Sequence, residues 1–355
     1  MITVRPSDIL SLDSSNLPPY ERKSIDFCRE WVTGKSSFVI TTSGSTGAPK
    51  TIELKREEMI ASANKTIAAL DLQEGMMSMV CLDTNFVAGK MMLVRSMVAG
   101  MKMIIMEPSS NPLEGFSEEV KINFAAFVPY QLATMLSSPQ RSMVNAIDKI
   151  IIGGSSIGTE LMNDIQNLNA QCYATFGMTE TLTHIALQKL NGPDRQDFFE
   201  ALAGVDISVD DRRCLIIKAD YLDKPIVTND IVELMDAQKF RWLGRWDNVI
   251  NSGGIKVMPE KIEGAVGHCM LSQQLTNKFF VAGLPHKALG SQVVLVIEGM
   301  ITSDAEKELM KSLNQSLHKY EIPKEVLYAN AFTYTATQKI DRLTSLKNAL
   351  PRPGL

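Results

Sequence analysis

The sequence predicts an α/β protein: a large N-terminal α/β domain carrying a β-rich subdomain, plus a small C-terminal α+β domain. Three observations support this. Between Phe38 and Thr175, short apolar runs that read as strands alternate with segments of helical apolar spacing. Turns rich in Gly, Ser and Thr follow several of those strands, where α/β sheets carry functional loops. From about Gly204 the pattern changes to short alternating strands, and beyond Asp247 to a mixed unit of about a hundred residues. The expected domains are 1–246 and 247–355.

Asn16-Leu17-Pro18-Pro19 marks a turn before a helix from about Tyr20 to Val32. Phe38 to Ile40 reads as a strand and Arg56 to Leu70 as a helix, so the polar run Thr41 to Lys50 lies on a loop between elements. Val80–Asp83, Met103–Met106, Phe124–Val128, Lys149–Ile152 and Cys172–Thr175 are the next expected strands. Helices are expected over Phe86–Ala99, Tyr130–Leu136 and Thr159–Leu168. The β-rich part comprises Val205–Val209, Cys214–Lys218, Pro225–Val227 and Ile231–Leu234. Helices over Pro259–Val266 and Asp304–Lys319 and strands over Lys278–Val281 and Gln292–Ile297 complete the chain.

A length of 355 residues is enough for two domains with a sizeable core. Apolar content of 45% with 21% charged residues is ordinary for a soluble globular protein. A net charge of −4, with no basic tail or helix, argues against a nucleic-acid or anionic-membrane binder. The five cysteines form no CxxC pair, so neither a disulfide framework nor a zinc site is suggested. Lacking a signal-peptide pattern or an apolar run of ~18 residues, the chain is expected in the cytoplasm, with no membrane insertion. The methionines dense between Met76 and Met106 alternate with Val, Leu and Ile and read as core.

Four stretches carry candidate chemistry. Thr41-Thr42-Ser43-Gly44-Ser45-Thr46-Gly47-Ala48-Pro49-Lys50 offers hydroxyls, closely approachable backbone N–H groups and a terminal cation, which suits a phosphate cradle. A run of this kind is by default a surface connection, and Pro49 before Lys50 excludes a Walker A loop. In Phe176-Gly177-Met178-Thr179-Glu180-Thr181, a carboxylate between hydroxyls either holds a divalent cation beside phosphates or begins a helix capped by Thr179. Gly244-Arg245-Trp246-Asp247, running on through Gly253-Gly254-Ile255-Lys256, is either a hinge with an Arg that reaches a bound nucleotide or a polar linker with a Gly-Gly turn. Lys339, in Thr335-Ala336-Thr337-Gln338-Lys339-Ile340-Asp341-Arg342, would alone pass for a solvated lysine.

In order and spacing these stretches resemble the adenylate-forming superfamily of acyl-CoA synthetases, peptide-synthetase adenylation domains and luciferases. The phosphate run matches the Ser/Thr-Ser-Gly-Thr/Ser-Thr-Gly-x-Pro-Lys signature, and Phe176 to Thr181 the aromatic-Gly-x-Thr-Glu motif. Gly244 to Glu263 matches the Gly-Arg-x-x-Asp-x-Ile hinge motif, and Lys339 the C-terminal lysine motif. Thr228-Asn229-Asp230 resembles the ribose-binding Thr-Gly-Asp, with Asn229 in place of Gly. The resemblance covers most of the chain from Phe38 to Arg342. Family members usually carry a much longer stretch before the phosphate loop, so part of the first subdomain is expected to be missing here. Thr333 and Gln338 also replace the Pro and Gly of the lysine motif. Within the superfamily, the short length, the Asn248 to Lys256 segment and Thr337 to Arg342 look most like o-succinylbenzoate-CoA ligases of menaquinone biosynthesis.

The resemblance implies ATP and CoA as co-substrates, Mg²⁺ as cofactor and a small carboxylic acid as partner. A carboxylate attacks the α-phosphate of ATP, pyrophosphate leaves, and CoA thiol then displaces AMP. On this reading Thr42, Ser43, Gly44, Ser45, Gly47 and Lys50 hold the departing pyrophosphate, and Glu180 with Thr46 holds the metal. Gly153, Gly154, Tyr173, Phe176, Gly177 and Thr179 line the adenine and acyl region, and Asp230 and Arg245 grip ribose. Lys339 bridges the reacting groups, Asp247 is the hinge of a mobile C-terminal domain, and Gly253, Gly254 and Lys256 form the CoA-side loop. A second substrate carboxylate needs a buried cation or several donors, for which Lys90, Arg95 and His184 are candidates; each could also be a snorkelling or capping side chain. The alternatives are a ligase or adenylation enzyme for another aryl or acyl acid, and a non-catalytic adenylate-binding protein.

Overall fold

Strands that alternate between two apolar faces set the architecture. In Phe124–Phe127, Phe124 and Ala126 enter one core while Ala125 and Phe127 enter another, as the two-residue period of a strand requires. Ile151 of Lys149–Ile152 joins the first core and Ile150 and Ile152 the second. A strand buried on both faces needs helices on both sides. Pro19–Val32, Arg56–Ala69 and Val87–Ala99 contribute to the first core, and Pro129–Leu136 and Thr159–Gln166 to the second.

The computed structural model describes residues 1–41, 51–117, 119–335 and 340–351. Among them, twelve strands form one sheet. It runs in the order Ile2–Val4, Lys102–Ile105, Met77–Val80, Phe124–Phe127, Lys149–Ile152, Gln171–Gly177, His184–Lys189, Phe199–Ala201, Lys239–Arg245, Ile226–Leu234, Cys214–Ala219 and Val205–Val209. The five strands from Lys102–Ile105 to Gln171–Gly177 are parallel, and every other pairing is antiparallel. A mixed α/β fold is therefore observed, as expected. Met79, Met91, Met92, Met101 and Met103 are fully buried, which confirms the methionine-rich segment as core.

Several local expectations change. The phosphate run is flanked not by a strand and a helix but by two antiparallel strands, Ser37–Thr41 and Thr51–Lys55, the second leading into helix Arg56–Ala69. The two pieces expected at Pro225–Val227 and Ile231–Leu234 are one strand, Ile226–Leu234, because Asp230 is paired and buried within it. The β-rich part is continuous with the parallel sheet through His184–Lys189, Phe199–Ala201 and Lys239–Arg245, which the sequence reading omitted.

Beyond residue 249, six strands among the described residues make a second sheet, centred on Gly290–Glu298. Ile262, Val266, Leu295, Leu309 and Leu313 form a core there that is separate from the first two. Helix Ser303–Ser316 starts where Thr302 Oγ1 accepts the Ala305 N–H at 3.2 Å, an N-cap. No described helix is long and apolar enough to cross a membrane.

Where the parallel strands give way to antiparallel ones, Phe176, Phe199 and Phe240 pack together. Phe240 is fully buried, stacked on Phe199 at 5.6 Å and edge-on to Phe176 at 5.1 Å. Phe240→Ala should therefore cost about 3–5 kcal/mol in urea unfolding. A loss below about 1 kcal/mol would show that this cluster does not hold the junction.

Candidate active site

The segment Thr42 to Lys50, including Ser43, Gly44, Ser45, Thr46 and Gly47, and the C-terminal Lys339 lie outside the described residues. What the structure places are the elements around them.

Gly153 and Gly154 follow strand Lys149–Ile152, whose parallel neighbour Gln171–Gly177 carries Tyr173, Phe176 and Gly177. A side chain at Gly153 would collide with Thr175 Oγ1, so glycine lets the two strand ends close up. The adjacent carboxyl ends of these strands thus bring Gly153, Gly154, Gly177 and the Thr179–Thr181 turn to one region. The rings of two candidates turn elsewhere. Tyr173 donates to Gln171 Oε1 at 3.1 Å, back along its strand, and the Phe176 ring packs on Phe199 and Phe240.

Glu180 lies on a single 3-10 turn, Thr179–Thr181, with its carboxylate exposed. Met178, not Thr179, is in the cap position. Thr181 braces the turn: its Oγ1 accepts the Met178 N–H at 3.0 Å and donates to the Thr183 carbonyl at 2.7 Å, while the Tyr221 hydroxyl donates to the Thr181 carbonyl at 3.1 Å. Leu182 follows with φ +64°, a costly conformation for a branched side chain, which the buried packing around it sustains. One exposed carboxylate on a rigid turn suits Mg²⁺, which takes one or two carboxylates and completes its shell with phosphates and water.

Asp230 is buried and accepts the Trp242 Nε1–H at 2.9 Å, and Arg245, its partner across the strand pair, comes within 3.7 Å. Arg245 also donates to Asp247 at 2.9 Å. The structure thus gathers Asp230, Arg245 and Asp247. Gly253 and Gly254, at φ +62° and +82°, form the tight turn between strands Ile250–Ser252 and Ile255–Val257. Lys256 lies 4.3 Å over the Trp246 ring.

Arg95 and His184 meet in the interior. Arg95 Nε donates to Thr66 Oγ1 at 3.2 Å and Nη2 to Thr183 Oγ1 at 2.7 Å. His184 Nε2 is 3.0 Å from Thr66 Oγ1, and Nδ1 is 3.3 Å from Thr183 Oγ1. The guanidinium only donates, so both threonine hydroxyls accept from it, and each also stands against one imidazole nitrogen, of which a neutral ring uses one to donate and one to accept. Burial lowers the Arg95 pKa to about 9, still charged at neutral pH, and burial with the Arg95 charge pushes His184 well below its ordinary value. No carboxylate among the described residues pairs with Arg95. Lys90 stands apart, donating to the Thr84 carbonyl at 2.7 Å and lying over Phe27. Sequence reasoning missed Thr66, Thr183 and Trp242: Thr66 is remote from His184 in the chain, and nothing in the pattern shows that Thr183 faces Arg95 or that Trp242 faces Asp230.

Comparison with known proteins gives the family. The AMP-binding enzyme family model matches residues 12–213. A solved acyl-CoA synthetase (AMP-forming)/AMP-acid ligase II-like protein from Dyadobacter fermentans is 35% identical, covering 98% of this chain and 99% of its own, with a TM-score of 0.68. The chain belongs to the AMP-binding enzymes, the class of AMP-forming acid–thiol ligases. The 2-succinylbenzoate–CoA ligase of Listeria monocytogenes is 23% identical over 92% of this chain and 73% of its own length. The o-succinylbenzoate CoA synthetase of Bacillus subtilis, solved with its acyl-adenylate intermediate, shares the fold at 19% identity and a TM-score of 0.72, over 88% of this chain and 69% of its own.

The buried imidazole has a pH consequence. Unfolded, His184 takes up a proton below about pH 6.5, whereas folded it resists, so stability should fall by about 1.4 kcal/mol per pH unit from there down to its folded pKa. Urea unfolding from pH 7.5 to 5 should show that slope in the wild type, reduced by this amount in His184→Gln. Equal slopes would mean that His184 is not held neutral.

Proposed function

We propose that the chain activates a carboxylic acid with ATP and transfers the acyl group to CoA, and that the acid is o-succinylbenzoate. The ligase class follows from the family. The specific acid rests on one observation: a fully buried guanidinium whose partners among the described residues are neutral. Burying an unpaired charge is costly, and the second carboxylate of a diacid would offset that cost. His184 and Thr183, which share this cluster, sit directly behind the turn that carries Glu180. The 2-succinylbenzoate ligases among the relatives are consistent with such an acid.

In the proposed reaction the acid's reacting carboxylate attacks the α-phosphate of ATP and pyrophosphate departs along Ser43 to Lys50. Mg²⁺ beside Glu180 and Thr46 would neutralise phosphate charge. Asp230 and Arg245 hold the ribose hydroxyls, so the α-phosphate is presented in one orientation. Lys339 bridges the reacting oxygens in this step alone. The units 1–246 and 247–355 then rotate about Asp247, bringing Gly253, Gly254 and Lys256 to the cleft for attack by the CoA thiol, with AMP leaving.

Pyrophosphate exchange across a panel of carboxylic acids, followed by thioester formation with CoA or a carrier protein, tests this reading. o-Succinylbenzoate with CoA should be preferred, and Arg95→Met should raise its KM by about ten- to a hundredfold while sparing monoacids. Preference for another acid, or an unchanged KM, would overturn the substrate. Lys339→Ala should lose exchange yet convert supplied acyl-adenylate to thioester. Equal loss of both half-reactions would contradict a lysine that serves only the first.

A further inference from the structure

Asn229 lies between Thr228 and the buried Asp230, and its side chain leaves the ribose site to reach the residue read as the pivot. Its Nδ2 donates to both carboxylate oxygens of Asp247, at 3.1 and 3.3 Å, while Oδ1 accepts from Arg212 Nη1 at 3.0 Å. Between a group that only donates and one that only accepts, the amide has a single workable orientation. Arg212 is itself fixed by Asp210, to which Nε donates at 2.8 Å, and its guanidinium lies 5.6 Å over Trp246. Asp247 also accepts from Arg245, the cross-strand partner of Asp230. Its carboxylate is thus tied to two residues flanking the nucleotide-side Asp230. The next residue, Asn248, is tied the other way, donating to Glu260 at 2.6 Å. The chain reverses its allegiance between residues 247 and 248. Glycine, which stands at this place in the motif that Thr228-Asn229-Asp230 resembles, could make neither of the Asn229 contacts.

We infer that Asn229 is a positioning residue that clamps the pivot carboxylate of Asp247 to the strand bearing Asp230, so that freeing the pivot requires breaking the Arg212–Asn229–Asp247 bridge. The inference rests on the reading of Asp247 as pivot. Because Asn229 links Asp247 to an arginine fixed by Asp210, its loss should loosen residues 245–252 and leave the buried cores intact.

The test is amide hydrogen exchange on the full chain, following peptides that span 245–252. Asn229→Gly removes the bridge. Asn229→Asp keeps the acceptor for Arg212 and sets one carboxylate against another. Both should speed exchange in that segment by about tenfold, since a hydrogen bond to a charged group is at stake, and should lower the urea midpoint by no more than that one interaction accounts for. The double variant Asn229→Asp/Asp247→Asn restores donor and acceptor with polarity exchanged and should recover most of the protection, which a merely structural role would not predict. Unmoved exchange in both single variants, or no recovery in the double variant, overturns the clamp. Pyrophosphate exchange on the same samples separates the two readings. Faster amide exchange in the variants, beside a wild type that activates no acid, leaves the clamp standing and removes the ligase reading, whereas an active wild type with unmoved amides in the variants does the reverse.

Discussion

The close antiparallel approach of Gly177 to His184 is the constraint on which the rest of the structure depends. At this point a parallel sheet turns antiparallel, and the chain must leave one strand and return beside it within a few residues. A Cβ at Gly177 would collide with the His184 Cα and the Thr183 carbonyl, so no other residue closes the pair without displacing the backbone. The register slips between Phe176 and Gly177, where Ile185 is the extra residue of the returning strand, and the connection between the two strands forms the turn that carries Glu180. The strained Leu182 is the local cost of that return. Everything beyond it, including the strands of Asp230 and Arg245, hangs on His184–Lys189 as the next strand of the sheet.

The same approach explains why so polar a cluster can be buried. Thr183 precedes and His184 begins the returning strand, and helices Arg56–Ala69 and Val87–Ala99 bring Thr66 and Arg95 against them. Each hydroxyl is shared between Arg95 and His184, so the hydrogen-bonding demand of both threonines and both imidazole nitrogens is met. The guanidinium charge is not. Hydrogen bonds to neutral oxygens recover only part of the solvation lost on full burial, which is why the Arg95 pKa falls to about 9 even with donors satisfied.

Much of the fold was legible because the parallel strands are buried on both faces and read as unbroken apolar runs; Lys149–Ile152 was bounded correctly on that ground alone. The strands that escaped detection are half-exposed or carry polar residues for a reason. Lys239–Arg245 reads as Lys-Phe-Arg-Trp-Leu-Gly-Arg, with its charges toward solvent or Asp230. Ile226–Leu234 was split in two because Thr228, Asn229 and Asp230 break its apolar pattern, and they do so to serve contacts across the sheet. In the candidate site, Arg95 and His184 were singled out as cations that could sit in a pocket, and they prove to be neighbours through two threonines that no spacing could reveal. Lys90, chosen on the same ground, sits on the same helix but turns to Thr84 and Phe27, since five helical positions carry a side chain well round the axis.

The geometry around Asp230 also bears on how a nucleotide would be gripped. An ionised carboxylate has about four acceptor positions, of which the Trp242 N–H occupies one and Arg245 approaches another. Two remain, matching in number the two hydroxyls of a ribose. Trp242 and the pairing of Ile226–Leu234 with Lys239–Arg245 hold the carboxylate in place before any ligand arrives, so little ordering is left for binding to impose. Arg245 is less settled, divided between Asp230 at 3.7 Å and Asp247 at 2.9 Å. A ribose drawing Arg245 toward Asp230 would weaken its hold on Asp247 and leave Asn229 as the principal donor to that carboxylate. On the proposed reading, grip on the nucleotide and restraint of the pivot would compete for this one guanidinium, which touches both carboxylates.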